Sequence, residues 1–146
     1  MTDAVQEKKF SFKAGIISSL VGGLILAIPM GMMGMFPGLA SMMGSHSAAV
    51  GFIIHLMISL IFGIAFALFA GMVKLHPAVS GLIFGVIIWI IGPMIIMPMM
   101  MGSGGGASNP CGGGGASMSM WLSLATHLMY GVVTSITYRL VKGKAA

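Results

Sequence analysis

Two histidines in apolar surroundings have the clearest capacity for chemistry in this chain. His55 and His127 each begin the tripeptide His-Leu-Met, and each lies within a long apolar run. An imidazole is costly to place in hydrocarbon, so it faces the interior of a helical bundle. The pair has two ligand-binding interpretations, axial ligation of haem b or binding of a metal ion. The structural interpretation, which we favour, is two hydrogen bonds at close helix crossings.

Soft sulfur ligands are concentrated beside two uncharged segments, 36–47 and 102–117. The chain has 17 methionines and one cysteine. Thioether sulfur favours Cu(I), so a copper site at these helix ends is one interpretation. The alternative is that methionine fills irregular packing near the prolines. The candidate copper ligands are His46, Cys111, Met33, Met35, Met97 and Met99.

The apolar runs contain no acidic residue that could perform carboxylate chemistry. The two acidic residues, Asp3 and Glu7, both precede the first run. General acid–base pairs and carboxylate proton relays are therefore excluded there, so we expect no enzyme and disfavour a small transporter. The basic residues form no stripe with aromatic side chains, which argues against nucleic-acid binding. No cofactor is required by this sequence, although copper or haem b would fit the residues above.

Composition indicates that lipid surrounds most of the chain. Of 146 residues, 58% are hydrophobic and 6% charged, with a mean hydropathy of +1.07, whereas a soluble domain has about 25% charged residues. Apolar runs in lipid must form helices of about 20 residues. We therefore predict an all-α, integral membrane four-helix bundle in a single domain, 1–146. The predicted spans are 14–35, 48–73, 78–101 and 118–140.

The basic residues predict the orientation of these spans. Lysines cluster before the first span, and Lys74 lies in the short connection between the second and third. Three more basic residues, Arg139, Lys142 and Lys144, lie at the end of the fourth span or after it. Because cytoplasmic loops are enriched in Lys and Arg, we place both termini and Lys74 in the cytoplasm of a cell-membrane protein. The uncharged segments then lie outside.

An internal repeat relates the two halves, 14–73 and 78–140. The pattern P-M-x-x-M-x-M occurs at 29–35 and 93–99, and His-Leu-Met occurs later in each half. A two-helix unit preserves orientation, so the halves would be related by an axis along the membrane normal.

Small residues recur four apart around both histidines, which favours close helix packing. The candidate packing residues are Gly51, Ser59, Gly63, Ala67, Gly81, Gly85, Ser123, Gly131 and Ser135.

The order of these motifs, with a third helix rich in Pro and Met before a final His helix, resembles an uncharacterised family of small four-helix membrane proteins of bacteria and archaea. In general character the chain is also similar to accessory subunits of copper membrane monooxygenases, such as the archaeal ammonia-oxidising type. The lack of a carboxylate, nucleophile or nucleotide motif, together with the stripes of small residues, predicts a non-catalytic subunit whose partners are lipids and other subunits of a larger membrane complex. The second resemblance implies a complex of oxidoreductase class, respiratory or copper monooxygenase in type. A membrane copper or haem b binding protein is the alternative, and a small transporter is the third.

The predicted orientation can be tested with the single cysteine. A membrane-impermeant thiol reagent applied to intact cells should label Cys111, because the positive-inside rule places segment 102–117 outside. Protection in intact cells combined with ready labelling in inverted vesicles would contradict the orientation.

Overall fold

The computed structural model describes residues 10–96, 99 and 120–144, and the regular structure of this part is entirely helical. The π-helix Ile90–Ile96 continues α4 without a break and is called the π segment below. The α-helices are α1 (Phe12–Met32), α2 (Phe36–Ser41), α3 (Ala48–Met72), α4 (Pro77–Trp89) and α5 (Met120–Lys144).

Three helices of the described part are long and apolar enough to cross a membrane. They are α1, α3 and the continuous stretch Pro77–Ile96, with 21, 25 and 20 residues. These helices mark the chain as a membrane protein. The fifth helix also has 25 residues but is more polar, so a fourth span remains a prediction.

Local sequence explains where the helices begin and turn. The Ser11 side chain caps α1 by accepting a hydrogen bond from Ala14 N. Pro77 occupies the first turn of α4, where its missing N–H costs nothing. Gly34 and Gly44 have φ values of 65° and 71°, and these left-handed turns lead into and out of α2. The predicted loop 36–47 thus contains a short helix that the sequence analysis did not anticipate.

The π segment surrounds Pro93. Proline has no N–H and its ring clashes with the carbonyl four residues before it, so a regular α-helix is disfavoured here. A π-helix is a rare alternative that is common at functional sites. Within the predicted third span, the chain is therefore an α-helix as far as Trp89 and a wider helix from Ile90 to Ile96.

The long helices pack in the spatial order α3, α1, α5 and α4, with most contacts between neighbours in this order. Three phenylalanines close the ring between α3 and α4. The centroids of Phe66 and Phe84 are 4.9 Å apart, and those of Phe69 and Phe84 are 5.7 Å apart. The Phe66–Phe84 contact is edge-to-face, an arrangement that adds stability beyond the area that it buries.

Glycines bring two helix pairs into backbone contact. A Cβ on Gly63 would meet the Ser19 hydroxyl and, at 2.6 Å, the Gly15 carbonyl oxygen of α1. A Cβ on Gly131 would meet the Gly81 carbonyl oxygen of α4. Such contacts substitute for the hydrophobic force that helices in lipid lack. The tightly joined pairs are therefore α1 with α3, and α4 with α5.

Two hydrogen bonds place the basic segments at one end of the molecule. Ser11 N donates to Tyr138 Oη at 3.2 Å, and Arg139 Nη2 donates to the Leu75 carbonyl oxygen at 2.6 Å. The start of α1, the α3–α4 turn and the end of α5 therefore lie together, and we call this the basic end. The side of the membrane on which it lies remains a prediction.

The glycine contacts generate a stability prediction. Changing Gly131 to Ala should destabilise the protein by about 1–3 kcal/mol, because the new methyl group overlaps the Gly81 backbone. Gly143→Ala on the same helix is the matched control, since no described atom lies within 4 Å of its added Cβ. Reversible unfolding in mixed micelles measures both. Equal stability of the two variants would show that α4 and α5 are not held by this contact.

Candidate functional site

A cavity of about 510 Å³ lies between the two helix pairs. It is lined by the second halves of α1 and of the stretch Pro77–Ile96, by the first halves of α3 and α5, and by α2. It therefore occupies the half of the bundle away from the basic end. A volume between 300 and 1,000 Å³ is typical of small-molecule sites.

The walls of the cavity are largely apolar. Four methionines contribute to the lining: Met30, Met35, Met42 and Met43. At the rim, Ile61 of α3 and Ile96 of the π segment are exposed on the protein surface. In a membrane the exposed faces of these two lining residues contact lipid, so the cavity wall formed by Ile61 and Ile96 borders the hydrocarbon.

His55 contributes a ring nitrogen whose role is fixed by its neighbour. Its Nε2 lies 2.8 Å from the Gly23 carbonyl oxygen of α1. A carbonyl only accepts, so Nε2 carries the hydrogen and Nδ1 of the neutral ring is left as a lone pair. Gly23 permits this contact because a Cβ there would collide with Ser59. His55 therefore joins α1 to α3.

His127 is held differently. Its Nδ1 lies 2.7 Å from the Ser123 carbonyl oxygen, one turn earlier in its own helix. The same reasoning leaves Nε2 as the lone pair. The bond is intrahelical, so it orients the imidazole without joining α5 to another helix.

Both imidazoles line the same cavity and are close enough to interact electrostatically. Among the described residues, neither free ring nitrogen has a hydrogen-bond partner. The cavity is thus lined by two imidazoles, each with one unshared ring nitrogen, together with methionine side chains. It can accept hydrogen bonds or ligate a soft ion.

The hydroxyl groups near the histidines donate elsewhere. Ser59 Oγ donates to the His55 carbonyl oxygen at 2.9 Å, and Thr126 Oγ1 donates to the Ser123 carbonyl oxygen at 2.8 Å. The hydrogens of these two hydroxyls are therefore directed to the backbone and not into the cavity.

A buried tyrosine at the cavity wall was not identified from the sequence. Tyr130 is 2% exposed, and its hydroxyl has no hydrogen-bond partner in the described part of the chain. Thr134 Oγ1 is also buried and has no hydrogen-bond partner among the described residues. The hydroxyls of Ser19 and Thr134 lie near the Tyr130 hydroxyl, but their positions do not meet hydrogen-bond geometry. The sequence signal was present, since Tyr130 follows His127 by three residues and so lies on a neighbouring part of the helix surface.

The predicted copper ligands are only partly brought together. Met35 lines the cavity with both histidines, whereas Met33, the exposed Met99 and the exposed His46 do not. Met97 and Cys111 lie outside the described residues. Within the described ranges no three His, Cys, Asp or Glu side chains form a cluster, so a metal bound there would need methionine sulfur.

The predicted packing residues are distributed over several contacts. Gly51 packs against the Phe36 carbonyl of α2, Gly85 against the His127 backbone, and Ala67 against Gly15. Ser135 Oγ donates to the Pro77 carbonyl oxygen at 2.6 Å and lies 3.0 Å from Ser80 Oγ. The small residues therefore position the histidine helices against α1, α2 and α4.

The two histidine bonds predict unequal losses of stability. His55→Phe should cost about 1–2 kcal/mol, because it removes a bond between helices and leaves the Gly23 carbonyl with one partner fewer. His127→Phe should cost less, since its bond lies within one helix. Both variants are compared by unfolding in the same micelles. A larger loss at His127 would contradict the assigned hydrogen bonds.

Comparison with known proteins and protein families identifies the family of the chain. No curated protein and no solved structure matches the chain significantly. The model of a family of unknown function, DUF6789, matches residues 5–146, and the chain therefore belongs to this family.

Proposed function

We propose that this protein is a non-catalytic, four-span membrane protein that holds a lipid-soluble molecule in the cavity between its helix pairs. One observation carries the proposal. His55 and His127 are far apart in sequence, belong to different helix pairs, and line one apolar cavity. Ligand sites in proteins combine apolar walls with a few convergent polar groups in this way.

The proposed setting is a larger membrane complex, in which the chain acts as a subunit. An oxidoreductase of the respiratory or copper monooxygenase type is the proposed class, because such complexes handle lipid-soluble or metal-bound reactants. Both termini would lie in the cytoplasm and the cavity toward the outer face of the cell membrane. The gathering of the basic segments at one end supports this orientation.

The bundle is proposed to be a tandem duplication of a helix pair. Two facts support it. In each pair the helix that carries the histidine presents a small residue, Gly63 or Gly131, to a backbone carbonyl of its neighbour. Pro29 and Pro93 lie in the last part of the first helix of each pair. The duplication would place two imidazoles on opposite walls of a central site.

A bound metal is the second candidate. The Nδ1–H of His127 donates to a carbonyl, and histidines that ligate metals usually hold their second nitrogen in this manner. Met35 shares the cavity and would supply a soft ligand for Cu(I). Haem b would instead be bound through both histidines.

Blocking the cavity tests the first candidate. Ile54 lines the cavity, whereas its neighbour Ile53 is exposed on the surface of α3. Ile54→Trp should occupy the space and abolish retention of a lipid-soluble ligand. Ile53→Trp, the matched control, should retain it. The ligand is measured by mass spectrometry of organic extracts from protein purified in nanodiscs, and copper and haem are assayed in the same samples.

The results separate the candidates. An organic molecule retained by the native protein and by Ile53→Trp, but lost from Ile54→Trp, is the expected outcome. Stoichiometric copper or haem without an organic ligand would transfer the assignment to the second candidate. Equal retention by both variants would mean that the molecule binds the lipid-facing surface, and the cavity proposal would be wrong.

A further inference from the structure

We infer that the cavity takes a hydroquinone, that is, an aromatic ring with two hydroxyl groups and an apolar tail, and that it prefers this reduced form over the quinone. The inference rests on the proposed function and specifies its ligand. It follows from the hydrogen-bonding character of the two histidines, from the absence of compensating charge, and from the opening toward lipid.

The histidines require a ligand that donates hydrogen bonds. Each ring has its N–H committed to a backbone carbonyl oxygen, at 2.8 Å for His55 and 2.7 Å for His127. The remaining nitrogens, Nδ1 and Nε2 respectively, only accept while the rings are neutral. Two acceptors in an apolar cavity are matched by a molecule with two donors. An acceptor-only molecule would leave both lone pairs unpaired, which is costly in a buried site.

The charge balance favours a neutral molecule over a metal ion. The sequence has no acidic residue after Glu7, so none of the helices supplies a carboxylate side chain to neutralise a bound cation. An uncompensated charge in a low-dielectric cavity carries a large desolvation penalty. A hydroquinone brings no charge and needs no counterion. The volume of about 510 Å³ is also far more than one ion requires.

The opening suits the tail of such a molecule. Ile61 and Ile96 line the cavity and are also exposed on the protein surface, so a tail attached to a ring inside would pass along them into the surrounding hydrocarbon. Met30 and Met42 offer flexible thioether walls that adapt to an aromatic ring. The ligand would therefore enter from the membrane rather than from water.

The preference for the reduced form follows from the same acceptors. Oxidation of a hydroquinone converts each hydroxyl into a carbonyl, which accepts hydrogen bonds and cannot donate them. The quinone therefore presents acceptors to the two histidine lone pairs. Sites built for a hydroxyl donor reject analogues that lack it strongly, because their polar groups are left unpaired.

Calorimetric titration of the full chain in nanodiscs tests this preference, with empty nanodiscs as the correction for partitioning. The probes are decyl-hydroquinone kept reduced, decyl-benzoquinone, and the monomethyl ether of the hydroquinone. We expect the hydroquinone to bind at least about tenfold more tightly than the quinone, with the ether between them. Equal affinities, or tighter binding of the quinone, would overturn the inference.

Two variants test whether the preference for the hydroquinone over the quinone arises in the cavity. His127→Phe keeps an aromatic ring and removes the free lone pair, so it should weaken hydroquinone binding about tenfold and leave quinone binding little changed. Met129→Phe, on the exposed side of the same helix, should bind as the native protein does. An undiminished preference in His127→Phe would contradict the role of this imidazole. The comparison of the three probes on the native protein stands even where a variant fails to fold.

The failure of this inference differs from the failure of the proposed function. One outcome is that Ile54→Trp blocks binding while the native protein binds the quinone and the hydroquinone equally well. The cavity would then remain a ligand site, and the inferred preference for the hydroquinone would be wrong. Absence of binding by all three probes, together with no organic ligand in the purified protein, would refute both.

Discussion

Backbone contact between helices is the constraint on which the rest of this structure depends. Helices in lipid gain no hydrophobic energy by associating, so they are held by close packing and polar contacts. Gly15 with Gly63, and Gly81 with Gly131, provide this packing in the two pairs. The pairs themselves meet through the interface of α1 with α5 and through the phenylalanines near the basic end. The cavity lies in the half of the bundle that those phenylalanines do not fill.

The irregular geometry around Pro93 shapes this space. Gly92 has no described atom within 4 Å of the position of a Cβ, and both residues line the cavity. A continuous α-helix with a larger side chain at that position would extend into the opening. Pro93 therefore keeps this space open by preventing a regular α-helix, and Gly92 keeps it open because it has no side chain. On α5, the buried Tyr130 hydroxyl at the same cavity has no hydrogen-bond partner among the described residues.

Sequence reasoning identified the all-helical membrane class because that class depends on composition and run length, which are local properties. It also singled out His55 and His127, because polar residues in apolar runs are conspicuous. It did not foresee α2, whose formation depends on two glycine turns and on packing over Gly51. The convergence of both histidines on one cavity, and the tautomer of each ring, depend on neighbours distant in sequence such as Gly23. The sequence pattern does not give the distances between residues that are far apart in the chain.

The polarity of α5 illustrates why mean hydropathy is an incomplete guide to membrane helices. Its serines and threonines at 123, 126, 134 and 135 are buried against other helices, while Trp121, Ile136 and Leu140 are exposed. An average over the helix counts inward and outward residues equally, although lipid contacts only the outward ones. At about 1.5 Å per residue, 25 residues extend beyond the roughly 30 Å of hydrocarbon in a bilayer. The proposal of a fourth span therefore rests on the direction in which the polar residues of α5 face, since a helix that keeps them inside presents an apolar surface to lipid.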